Sequence, residues 1–248
     1  MHLAVENVEK GYADKRVLKN VSFGVDAHEF ICILGHSGCG KSTLLNLVAG
    51  FLQPDRGSVT VNGIPVKGPS KSRGVVFQDH ALFPWYNVLD NIAFGPSVQG
   101  KSKAEAREIA RKYLKLVGLE EYADSYPDQL SGGMKQRVGI ARALASEPDL
   151  LLMDEPFGAL DILTREMMQK ELLRIWLELK ISILFITHSV SEAVYLADRI
   201  LVMKDGYVAE TFRVTMDRPR DIAHPEYAEL VRRIQKILTD DQGEGIHD

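Results

Sequence analysis

Short apolar runs alternate along the chain with segments whose apolar residues recur at helical spacing, and this alternation predicts an α/β domain. Residues 30–34, 150–153 and 183–186 are unbroken apolar runs, as strands buried on both faces require. Residues 58–61 and 74–77 are further predicted strands, and Asn62-Gly63 is a tight-turn pair. Residues 200–203 and 207–209 flank Asp205-Gly206 and predict a hairpin. Helical spacing runs over 41–49, where Gly50 stops it, and over 103–117, where Ala106, Ile109, Ala110, Tyr113, Leu114 and Val117 share a face. It recurs over 131–145 and over 162–179, with Met168, Leu172, Ile175 and Leu179 in one stripe. A last helix is predicted over 226–238, with Leu230, Val231, Ile234, Ile237 and Leu238 on one face. Residues 241–248 are expected to fray.

With 248 residues the chain can bury a large core with room for one subdomain. A net charge of -4 and a pI near 6.0 argue against nucleic acid as the main partner. Small phosphate ligands are not excluded, because local geometry holds them. The two cysteines, Cys32 and Cys39, are too few for a disulfide framework and form no paired metal motif, which fits a reducing compartment. No apolar signal region opens the sequence, and no apolar run approaches the roughly 20 residues a membrane helix needs. A membrane role would therefore depend on a partner.

Residues Gly35-His36-Ser37-Gly38-Cys39-Gly40-Lys41-Ser42 match the phosphate-loop pattern G-x-x-x-x-G-K-[ST] and lie between a predicted strand and a predicted helix. Glycines let main-chain N–H groups curl around phosphates, and the helix N-terminus adds partial positive charge. Lys41 can reach the β- and γ-phosphates, and Ser42 can ligand Mg²⁺. The nucleotide contacts expected here run from Gly35 through Thr43. Cys39, beside Lys41, is expected either to have a lowered thiol pKa, so that its modification blocks ATP binding, or to be only a small loop residue. Asp154 and Glu155 end the strand at 150–153. In such a place Asp154 orients Mg²⁺ through its waters, and Glu155 polarises the attacking water as base or positioning group.

Residues Leu130-Ser131-Gly132-Gly133-Met134-Lys135-Gln136-Arg137 resemble the signature motif of ABC ATPases. Met134 departs from the commonest form, which has glutamine, while Ser131, Gly132 and Gly133 are kept. The resemblance extends from Tyr12 to about Met203 and implies a fold: a P-loop NTPase core with an antiparallel β subdomain and an inserted α-helical subdomain at about 80–145. The ATPase domain would then span 1–222, with a C-terminal helix and tail at 223–248. It also implies roles. Tyr12 would stack on adenine, unless it is only a strand tyrosine; Gln78 would sense Mg²⁺ and the γ-phosphate; Asp161 would lie in the loop that crosses to a partner; His188 would be the switch histidine.

By the same resemblance one chain holds half a site. Ser131 and its glycines would face ATP held by a second ATPase subunit in a head-to-tail dimer. The remaining expected partners are two transmembrane permease subunits and, indirectly, a solute-binding protein, with the chain peripheral on the cytoplasmic face of the membrane. Leu82, Phe83, Pro84 and Trp85 would either form a groove for a short permease helix or fill the subdomain core. Together with the phosphate loop, Met134 and Arg218-Pro219-Arg220, they resemble ATPases of nitrate, sulfonate and taurine importers. The alternative is a soluble ABC ATPase without a transport role, such as the iron–sulfur assembly type. The helix at 226–238 is expected either to pack on its own domain or to regulate it.

Overall fold

The computed structural model describes residues 2–13, 15–79 and 81–239; the segment 241–248, expected to fray, lies outside them. In chain order the elements are β1 (Leu3–Tyr12), β2 (Lys15–Val25), β3 (Phe30–Leu34), α1 (Lys41–Ala49), β4 (Arg56–Val61), β5 (Ile64–Pro65) and β6 (Arg73–Val76). There follow α2 (Val88–Val98), α3 (Lys103–Leu116), α4 (Gly132–Leu144), β7 (Leu150–Asp154) and α5 (Ile162–Leu179). The chain continues through β8 (Ser182–Thr187), α6 (Val190–Leu196), β9 (Arg199–Lys204), β10 (Tyr207–Arg213) and α7 (Pro225–Thr239). They fall into two compact units, Met1–Gly68 with Leu184–Asp248, and Pro69–Ile183.

The first unit contains an antiparallel sheet of order β2-β1-β4-β5 and the ladder β10-β9-β3. β3 runs parallel to β9, with Cys32 opposite Ile200, and β9 runs antiparallel to β10. All five residues of β3 are buried, and Phe30 meets Phe185 of β8 with ring centroids 5.9 Å apart. Asn62 and Gly63, both at positive φ, turn β4 into β5. The hairpin turn at Asp205-Gly206 rests on β2: a methyl at Gly206 would stand 2.3 Å from the Val17 carbonyl, so only glycine fits. The second unit pairs β6 with β7 in parallel and carries α2, α3, α4 and α5. The α/β architecture with a P-loop core, an antiparallel sheet and a helical insertion is as expected from the sequence.

Helix starts separate into two kinds. Asn87, Ser102, Ser131, Asp161 and Ser189 cap α2 to α6, each accepting a hydrogen bond from a main-chain N–H of the first turn. α1 starts at Gly40, which has no side chain to offer, and its first turn carries no acid. The N–H groups and positive pole of α1 are thereby directed at the loop before it.

Candidate functional site

The loop between β3 and α1 belongs to the first unit. His36, Ser37 and Gly38 form its exposed crest, while Gly35, Cys39, Gly40 and Lys41 are buried at its base. Gly35 is demanded by close approach, since a methyl there would stand 2.4 Å from the Met203 carbonyl and 2.7 Å from Cys39 Sγ. Lys41 Nζ donates to the carbonyls of Gly35 at 2.8 Å and His36 at 2.9 Å, so its ammonium is anchored across the loop. Ser42 is exposed and Thr43 half-buried at the start of α1. The expectation of a reactive Cys39 is corrected: burial pushes its thiol pKa up, and the opposing field of Lys41 is the smaller effect.

Two further groups lie in this unit. Tyr12 ends β1 with 47% of its surface exposed, so it is no core residue, and Lys10 Nζ stands 5.9 Å from its ring centroid. His188 is exposed just after β8. Its neighbours pin it: Thr187 Oγ1 donates to the buried carboxylate of Glu192 and accepts from Ser189 N at 3.0 Å, and Ser189 caps α6. Sequence reading missed Thr187 and Glu192; their signal was a buried-strand terminus followed by a cap and an acid three residues on. Arg218 and Arg220 close the other end of α6. Arg220, 4% exposed, donates to the carbonyls of Val194 and Tyr195 at 2.8 and 3.0 Å, and Arg218 donates to that of Leu196 at 2.6 Å. Burial lowers the Arg220 pKa to about 10, which leaves it charged at neutral pH.

The second unit carries the other candidates. Asp154 and Glu155 are half-buried where β7 ends, and Glu155 has φ 43, a left-handed conformation uncommon for a non-glycine residue. The turn after it closes with Gly158 N donating to the Glu155 carbonyl at 3.1 Å. A methyl at Gly158 would stand 3.4 Å from that carbonyl and 3.5 Å from Gln78 Nε2, so Gln78 lies over this turn. Ser131 is exposed at the N-terminus of α4 and accepts from Met134 N at 3.3 Å. Gly133 seats α4 on α5, since a methyl there would be 2.7 Å from Thr164 Cγ2. Asp161 caps α5, and hydrogen bonds from the Thr164 side chain and main chain hold its carboxyl below the usual range. The structure thus brings Gln78 to the Glu155 turn and the signature glycines to the Asp161 loop.

Residues 82–85 do not fill a core. Leu82 and Phe83 are half-buried, Pro84 is exposed, and Trp85 is 68% exposed. Phe83 gathers Trp85, Tyr86 and Phe94, with centroids 5.7, 5.7 and 4.6 Å away, and the Arg142 guanidinium lies 5.5 Å from its ring. Asn91, fully buried and overlooked in the sequence, fixes this loop. Its Oδ1 accepts from Phe83 N at 2.9 Å, and its Nδ2 donates to the carbonyls of Phe83, Tyr86 and Asn87 at 3.1, 3.0 and 3.0 Å. Beside the cluster runs an open groove of about 550 Å³, lined by Phe77, Phe83, Phe94, Val98, Arg73 and Arg142 among others. Among the described residues no helix is long and apolar enough to cross a membrane.

The family model described as ABC transporter matches residues 18–158. The taurine import ATP-binding protein TauB of Pseudomonas aeruginosa is 52% identical over 222 residues, covering 89% of this chain and 83% of that protein. The nitrate import ATP-binding protein NrtD of Synechococcus elongatus is 49% identical over 222 residues, covering 86% and 81%. Among solved structures, a dimeric ATP-binding cassette in a post-hydrolysis state bound to ADP and Pi superposes with a TM-score of 0.76. It is 33% identical, over 87% of this chain and 100% of that one.

Proposed function

The chain belongs to the ABC transporter family, and from that premise we propose that it is the ATP-binding and ATP-hydrolysing subunit of an importer for a small anion such as nitrate, taurine or another sulfonate. The names of its relatives support the solute class. The observation that carries the reading is the base of the phosphate loop, where the uncapped α1 N-terminus and the anchored Lys41 ammonium converge on one loop.

In this reading the first unit holds the nucleotide. Tyr12 stacks on adenine, the main chain from Gly35 to Thr43 wraps the phosphates, and Lys41 neutralises the β- and γ-phosphates. His188 contacts the γ-phosphate from a loop that Thr187 and Glu192 hold still. In the second unit Glu155 polarises the attacking water, and its strained backbone fixes where the carboxylate points. Ser42, Gln78 and Asp154 offer only oxygen donors, which suits Mg²⁺, an ion that keeps its waters and binds few protein groups alongside phosphates. When bound, Mg²⁺ supplies charge neutralisation at the phosphates.

Ser131, Gly132 and Gly133 present the N-terminus of α4 to the ATP of a second subunit, and Asp161 lies in the neighbouring loop. ATP then binds the closed pair in preference to the open one, and hydrolysis releases it. The dimeric form of the solved relative supports this assembly. In this reading the aromatic cluster and groove around Phe83 take a short helix of a permease, the chain sits peripherally at the membrane, and the Gln78 loop is coupled to transport; the open, partly apolar groove supports it.

Gel filtration with and without ATP tests the assembly. Lys41→Ala should lose ATP binding. Ser131→Arg should keep ATP binding as a monomer but lose ATP-dependent dimerisation. Glu155→Gln should accumulate an ATP-bound dimer. Wild-type turnover in Glu155→Gln would remove that residue from water activation, and undiminished dimerisation of Ser131→Arg would end the shared-site reading.

A further inference from the structure

α7 reaches from one nucleotide-facing element of the first unit to another. At its first turn Tyr227, 3% exposed, donates its hydroxyl to the Ser191 carbonyl of α6 at 2.7 Å, two residues past the cap that follows His188. Along its length Ile234 is fully buried, and the Arg233 guanidinium lies 5.4 Å from the Phe212 ring of β10. At its last turn Leu238 is buried and its carbonyl lies 2.7 Å from Nε2 of His36, on the crest of the phosphate loop. The two partners are 202 residues apart in sequence.

The chemistry of a helix end gives this contact a purpose. The last four carbonyls of a helix have no intrahelical donor. In α7 the Thr239 hydroxyl serves that of Lys236 at 3.2 Å, and the imidazole N–H of His36 serves that of Leu238 at 2.7 Å. His36 is also held at its own carbonyl by the Lys41 ammonium. One loop residue is therefore gripped on two sides, by α7 through its ring and by the phosphate-binding lysine through its main chain. Loop geometry decides how well the main-chain N–H groups converge on phosphate, and a loop held in shape before binding loses less order when ATP arrives.

We infer that α7 is a strut that pre-shapes the phosphate loop, and that His36 is the positioning residue through which it acts. By linkage, bound ATP must then tighten the last turn of α7 as much as α7 tightens ATP. The inference rests on the phosphate-loop reading above.

The test uses the full-length chain, with steady-state ATPase kinetics and ATP binding read alongside hydrogen exchange. His36→Ala should raise KM for ATP about two- to tenfold, the worth of one net hydrogen bond, with kcat within twofold. His36→Gln, whose amide N–H reaches about as far as Nε2, should restore most of the affinity. Gln235→Gly with Lys236→Gly, both at exposed positions, frays the last turn of α7 without replacing its buried side chains, and should match His36→Ala without adding to it. ATP should slow amide exchange in that turn in wild type and not in His36→Ala. An unchanged KM in His36→Ala, a Gln variant no better than Ala, or ATP-independent exchange in α7 would each overturn the strut. If Lys41→Ala also bound ATP normally, the phosphate-loop reading itself would fail, which separates the two outcomes.

Discussion

Replacing Gly133 by alanine probes how the signature helix is seated. The new Cβ would lie 2.7 Å from Thr164 Cγ2, where two carbons settle at about 3.5–4.0 Å, so a gap of about 1 Å must open. Thr164 is poorly placed to yield. Its β-branched χ1 is stiff, and both its hydroxyl and its main-chain N–H bind Asp161. The first turn of α4 must instead move off α5. Overpacking of this kind costs about 1–3 kcal/mol. Alanine returns about 0.5–1 kcal/mol by restricting the unfolded chain and favouring helix. The net loss is about 1–2 kcal/mol, which for a domain of this size lowers Tm by about 2–8 °C. ATP-dependent dimerisation should weaken as well, because Ser131 moves with the turn. Thr164→Ser deletes the offending methyl and keeps the hydroxyl, so Gly133→Ala combined with Thr164→Ser should recover most of the lost Tm. The assay is a thermal melt of the four proteins of the double-mutant cycle. A Gly133→Ala chain that melts like wild type, or a serine that rescues nothing, would refute the packing argument.

Other expectations follow from single sites. With both cysteines buried and the Cys39 thiol raised by desolvation, a thiol reagent near pH 7.5 should titrate well under one group in the folded chain and two in urea; a fast, ATP-protected thiol would contradict this. Trp85→Ala should change stability little, since the ring is mostly exposed, yet lower transport in the assembled complex while ATP binding persists. Transport at the wild-type rate would remove Trp85 from coupling. The Asp161 carboxyl is depressed by its Thr164 bonds, so its contribution to stability is present above the usual carboxylate pKa of about 4 and is lost as pH falls through the folded value. Asp161→Ala should therefore flatten the fall in urea midpoint between pH 6 and pH 3, and a slope equal to wild type would count against the cap.

The parallel core was legible because β3, β7 and β8 are short runs buried on both faces, which leave a continuous apolar signature. The phosphate loop and the signature segment were legible because their chemistry is local. β1 and β2 were not predicted from pattern. Their register shifts at bulges, and Asn7 and Asn20 sit at positive φ, so apolar and polar positions do not alternate cleanly. α2 was hidden by Phe94-Gly95-Pro96, which reads as a break, although Pro96 is tolerated within the helix. α6 has seven residues, nearly all buried, too few to show a period. The Leu238 partner of His36 and the Arg142 partner of Phe83 are set by tertiary placement, which one-dimensional spacing does not encode. Cys39 shows the same limit: Lys41 is its neighbour in sequence, but burial, a property of the fold, decides its thiol.

Asn91 has a consequence for recognition. Its single amide stitches four main-chain groups of the loop that bears Phe83, Trp85 and Tyr86, so this aromatic surface is stiff before anything lands on it. A docking helix then forfeits little conformational freedom on the receiving side, and a small contact area can suffice for firm attachment. Stiffness also means that a push on the indole ring meets a braced main chain from Phe83 to Asn87 and is not lost in loop rearrangement.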